Sequence, residues 1–126
     1  MVATVVQVTL PRTFYRIIKT HMPTLEDFTS NAEKGRIPRG RELTNPAIHH
    51  GLSMYSRQDD AIHIAQRFPK LGIFIAALAI PSDDPDIRIR RHTVNLNDSH
   101  HTVWCAPGQC LSYVFAIIPV PRSVVE

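Results

Sequence analysis

The residue types best equipped for chemistry concentrate in one late stretch, Ser99-His100-His101-Thr102-Val103-Trp104-Cys105-Ala106-Pro107-Gly108-Gln109-Cys110. It holds two of the seven histidines, both cysteines and the only tryptophan. Zinc is the first chemistry to weigh, because imidazole and thiolate are its usual ligands. Structural zinc sites draw ligand pairs from two knuckles, and this chain has no second cysteine pair. On a strand His100 and His101 would also point to opposite faces, so no metal is expected. A cysteine nucleophile would need a lowered pKa and a histidine beside it. The local spacing demands neither, and both cysteines read as small hydrophobes with free thiols.

Arg16 is the second candidate. It sits inside Thr13-Phe14-Tyr15-Arg16-Ile17-Ile18-Lys19, a run of aromatic and β-branched residues. A guanidinium stays charged in proteins, so within an apolar strand it needs a partner or a cleft. Two readings stand side by side: a structural pairing with Asp27 or Glu42, and a fork that grips a phosphate with two parallel hydrogen bonds.

These residues must be positioned by the surrounding elements. Residues 1–8 are rich in valine and threonine and read as a strand or an ordered arm. The run around Arg16 is a second strand. Thr24, followed by Glu26 and Asp27, supplies an N-cap and first-turn acids for a helix over residues 25–33. Residues 35–45 carry two glycines, a proline and several charges, and read as a mobile basic loop suited to be a lid. Gly51-Leu52-Ser53-Met54-Tyr55 alternates as a strand and feeds an amphipathic helix that Pro69 ends. Residues 71–80 are almost wholly apolar and predict a central strand covered on both faces. Ile87-Arg88-Ile89-Arg90 alternates strictly, burying one face and presenting arginines on the other. A strand at residues 101–105, a turn at Ala106-Pro107-Gly108 and a last strand over residues 111–120 complete the chain. The order predicts a single α+β domain over residues 1–126, with mixed, mainly antiparallel sheets and two principal helices in the N-terminal half.

Composition narrows the function classes. A chain of 126 residues with 44% hydrophobic content can bury one real core. No apolar run is long enough to cross a bilayer, and the N-terminus lacks the features of a signal peptide, which predicts a cytoplasmic protein with no membrane partner. Lys+Arg 14 against Asp+Glu 11 gives a net charge of +3. The excess is grouped in two segments, residues 34–41 and 88–91, which read as solvated faces or as contacts to phosphate or RNA.

Tyr15-Arg16 on an early strand, Gly51-Leu52-Ser53-Met54-Tyr55 running straight into a helix, and a late strand leading into Ala106-Pro107-Gly108 together resemble the ADP-ribosyltransferase family. The resemblance implies that NAD is the cofactor, held by Tyr15 and Arg16 with Ser53 and Tyr55 shaping the nicotinamide pocket. It implies that His100, His101 or Thr102 faces the reacting centre with Arg16. Members carry a catalytic Glu on the late strand; here Thr102 stands at that position and His100 at an upstream Glu. Threonine cannot supply the negative charge that an oxocarbenium-like transition state calls for. The branch of RNA 2'-phosphotransferases, which handles phosphate and NAD with His and Arg, is similar in this respect. The resemblance thus implies an NAD-dependent ADP-ribosyl or phosphoryl transferase, such as a toxin with an antitoxin partner. The alternative of a different class is a non-catalytic module that binds RNA or a protein through residues 34–41 and 88–91. A third is a structural role in a self-associating oligomer, through exposed strand edges.

Overall fold

A run of aromatic and β-branched residues makes Arg12–Ile18 the first described strand, β1, of a six-stranded antiparallel sheet. The structure is a computed structural model and describes residues 11–39, 41–91 and 99–121. The other strands are β2 (Leu52–Tyr55), β3 (Phe74–Ile80), β4 (Arg88–Arg91), β5 (His100–Trp104) and β6 (Val114–Pro119), in the spatial order β4-β5-β2-β1-β3-β6. Among the described residues four α-helices accompany them: α1 (Arg41–Thr44), α2 (Pro46–His49), α3 (Gln58–Arg67) and α4 (Pro107–Ser112). The fold is α+β, as the sequence pattern predicts. The strand or arm expected at residues 1–8 lies outside the described residues.

Each face of the sheet has its own core. On the first, Phe14, Ile18, Leu52, Met54, Ala76, Leu78, Ile80 and Val103 pack with Phe28 and Cys110, which come from a single 3-10 turn (Leu25–Phe28) and from α4. On the second, Ala61 and Ala65 of α3 pack on Ile75, with Tyr15, Ile17 and Tyr55 beside them. The apolar run of residues 71–80 is thus covered from both sides. Arg16 lies between Phe14 and Ile18 in an alternating strand, so it points to the first face.

Three elements differ from the sequence expectation. The helix expected over residues 25–33 is one 3-10 turn, closed by the Asp27 carboxylate accepting from the Thr24 amide at 2.8 Å. The Thr29 hydroxyl donates to the Leu25 carbonyl at 2.8 Å and Thr29 itself is extended, so side-chain bonding diverts the backbone. The basic loop at residues 35–45 contains α1 and leads into α2, with Pro46 at the first turn of the latter. Pro107-Gly108, expected as a turn, opens α4; proline at a first helical position gives up only an amide that has no helical partner.

Two glycines are fixed by close approach. A Cβ on Gly51 would strike the Thr102 methyl group, and one on Gly72 would strike the Ile18 carbonyl. Gly72 also has φ +153°, a conformation that side chains disfavour. It follows a second 3-10 turn, Pro69–Leu71, and locks it against the end of β1.

Candidate functional site

The site arises where the sheet fails to close. β1 pairs with β3 over all seven of its residues but with β2 only through Tyr15 and Tyr55. β2, by contrast, is paired with β5 at every residue. The end of β1 and the start of β2 therefore bound a gap, and a cleft of about 310 Å³ opens there. The loop from Thr29 to Arg36 forms one wall, Ile48 and Gly51 another, and Lys70 and Leu71 a third. Arg16 and Ser53 lie where the strands separate.

Arg16 bridges the gap. Its Nε donates to the Asp27 carbonyl at 2.6 Å and its Nη1 to the Ser53 carbonyl at 2.9 Å. Both acceptors are backbone. The Asp27 carboxylate serves Thr24, and the Glu42 carboxylate serves His49, Asn31 and the Arg39 amide. Of the two structural partners the sequence offers for Arg16, one contributes a carbonyl and the other is engaged elsewhere. Arg16 has no ion pair among the described residues. Burial pushes its guanidinium down to about 10, opposed by Cys110 and Asp27, so it remains cationic at neutral pH. Among the described residues, two of its five N–H donors are engaged, both by backbone carbonyls.

The surrounding charge is lopsided. Lys19, Lys34, Arg36 and Lys70 join Arg16 around the cleft, and among the described residues Glu42 is the one carboxylate that lines it. The Lys34 ammonium is held below the usual lysine range by partial burial, then by the positive charges of Arg36, Arg16 and Lys19, with Glu26 opposing. Glu42 shows the reverse balance. Burial would raise its carboxyl, but hydrogen bonds from His49, the Arg39 amide and Asn31 outweigh that and hold it below the usual range. It is thus an ionised, oriented carboxylate in a cationic cleft.

Of the residues the sequence singles out, Arg16, Ser53 and Tyr55 line this cleft and Tyr15, His100, His101 and Thr102 do not. Tyr15 lies on the second face beside α3. The His101 ring meets Phe14 edge-on at 5.3 Å and its Nδ1 lies 2.7 Å from the Ser99 carbonyl, which makes it a core histidine on the first face. His100 is on the opposite face against Tyr55, at 5.4 Å between ring centroids. Thr102 is 1% exposed, sealed beneath Gly51, and its hydroxyl has no hydrogen-bond partner. The expected meeting of Thr102 and His100 with Arg16 does not occur, because β5 is fully zipped to β2 and Arg16 projects from the other face.

Sequence reasoning missed Glu42, Lys19 and Lys70. Glu42 was legible only as a partner for Arg16, and the two lysines carry no local signal. Burial pushes both thiols up, Cys110 most, so neither is a nucleophile at neutral pH. Among the described residues no three His, Cys, Asp or Glu side chains gather as a metal would require, and no helix is long and apolar enough to cross a membrane. No family model, curated protein or solved structure matches the chain.

Proposed function

We propose that this chain is a nucleotide-binding domain of the ADP-ribosyltransferase kind, whose cleft between β1 and β2 takes the diphosphate of NAD or a related nucleotide. One observation carries the reading: Arg16, a partly buried guanidinium with no carboxylate partner among the described residues, lies in the cleft beside four other cations. A desolvated cation of this kind is stabilised by an anion that enters the site, and the guanidinium fork suits a phosphate. The adjacency of β2 and β1 lends further support, since it gathers Arg16, Ser53 and Tyr55 at one opening.

ADP-ribosyl transfer breaks the bond between nicotinamide and its ribose and calls for negative charge beside the resulting cation. Thr102 is sealed away from the cleft, and Glu42 is the carboxylate that shares it. His49 and Asn31 hold one Glu42 oxygen, at 3.0 and 3.2 Å. Calorimetry with NAD tests the binding, and release of nicotinamide tests the chemistry. The reading expects binding that Arg16→Met removes and release that Glu42→Gln removes. Absence of heat with NAD and with adenine nucleotides alike would overturn it.

A second reading draws on β4, whose Arg88, Arg90 and Arg91 are exposed along one edge of the sheet. Register aligns Arg90 with Thr102 and Thr102 with Ser53, so Arg90 shares a face with the mouth of the cleft. A module that grips RNA phosphates without catalysis would use both regions. Its affinity for RNA would fall steeply with salt, and a flat salt dependence would dismiss it.

A further inference from the structure

The charge of the cleft says more than that an anion binds. Among the described residues that line it, Arg16, Lys19, Lys34, Arg36 and Lys70 face one carboxylate, Glu42, an excess of four positive charges that the nearby Asp27 and Glu26 offset only in part. None of the five cations has an ion pair among the described residues. NAD is a poor match: its nicotinamidium cancels one of its two phosphate charges and leaves a single net negative charge. A phosphate monoester adds about −1.5 to −2 at neutral pH.

We infer that the ligand of this cleft is a nucleotide bearing a terminal phosphate group, singly linked and close to dianionic, in addition to its diphosphate. This rests on the nucleotide reading above and names the class of nucleotide. The cations are distributed in keeping with two phosphate positions. Arg16 lies where the strands part and takes the diphosphate. Lys34 and Arg36 sit on the loop that walls the cleft, close enough for their charges to repel one another and Arg16. A dianion between them relieves that repulsion, and the turn that presents them is held by backbone hydrogen bonds from Lys34 to Ser30 and from Arg36 to Asn31, both 3.0 Å. The volume of about 310 Å³ lies at the small end of ligand pockets, which run from about 300 to 1,000 Å³. Such a cleft encloses the phosphates and leaves part of a dinucleotide outside.

Calorimetry with NAD, NADP and ATP tests the assignment and separates its two sources, since NADP carries the added phosphate as a monoester on a ribose and ATP carries it as the terminal, anhydride-linked phosphoryl group of the phosphate chain. NADP or ATP should bind at least about tenfold tighter than NAD, the scale of one charge-assisted hydrogen bond. The tighter of the two identifies the source. The double variant Lys34→Gln, Arg36→Gln changes side chains that are exposed or only partly buried. It should bring the tighter ligand down to the affinity of NAD while circular dichroism stays unchanged. NAD binding as tightly as NADP and ATP would overturn the inference and leave the nucleotide reading standing. Failure of all three to bind would overturn both. A preference for the added phosphate that survives in the double variant would overturn the assignment of Lys34 and Arg36.

Discussion

Two neighbouring strand junctions place polar side chains in opposite circumstances. Between β2 and β5 every residue of β2 is paired, and the Thr102 hydroxyl there is buried beneath Gly51 with no partner. Between β1 and β2 a single residue pair holds, and Arg16 reaches across the opening to backbone carbonyls. The residue with the more suggestive local sequence is the inaccessible one. Where the ladder parts, Arg16 reaches both its own backbone neighbours and the cleft; where it is fully paired, Thr102 reaches neither solvent nor a partner.

The largest test of this contrast is Arg16→Met. Loss of charge-assisted bonds worth about 1.5–3 kcal/mol each should weaken nucleotide binding by about 100-fold or more, and loss of the donors to the Asp27 and Ser53 carbonyls should lower stability by about 1–3 kcal/mol, so binding is read well below the melting midpoint. Arg16→Lys should recover little, because one ammonium cannot reproduce the fork. Calorimetry and thermal melting together check both statements.

Gly51→Ala probes the closed junction. The added methyl group meets the Thr102 side chain, and the strain should cost about 2 kcal/mol, read as a lowered midpoint in urea. An unchanged midpoint would mean that Gly51 does not seal Thr102.

Glu42→Gln comes next, at about 1 kcal/mol of stability at neutral pH. Its sign with pH follows from the lowered carboxyl. The folded-state pKa lies below the unfolded one, so the stabilisation is present above the unfolded value and is lost as pH falls through the folded value. Acid unfolding curves of the protein and the variant should therefore converge at low pH; a constant separation would contradict the assignment.

The smallest effect belongs to Thr102→Val. Removing an unpartnered buried hydroxyl at nearly constant shape should leave stability unchanged or raise it by up to about 1 kcal/mol, with nucleotide affinity unaltered. A loss of affinity would place Thr102 back in the functional site.

The strands were legible because β-branched and aromatic runs, apolar runs and alternation are all local signals. The paired stretches at Arg12–Ile18, Leu52–Tyr55 and Phe74–Ile80 all follow from composition and period. Helix α4 was not, since Pro107-Gly108 serves a turn and a helix start equally well. The one-turn helices α1 and α2 are too short to establish a period. Arg16 could be singled out because a charge in an apolar strand is costly, but its partners could not be named. The cleft itself depends on how far β1 and β2 remain paired and on lysines more than fifty positions apart in the chain, Lys19 and Lys70. Pairing length and long-range proximity are properties of packing, and no local pattern encodes them.

Gly72 gives the cleft an unusual kind of durability. The turn bearing Lys70 and Leu71 is set against β1 by backbone touching backbone, at a point where a side chain would collide with the Ile18 carbonyl. The spacing between this wall and the strand beside it is therefore gauged mainly by main-chain atoms, with the Ile17 side chain next to them. Substitutions among the side chains of this turn would leave that backbone approach in place.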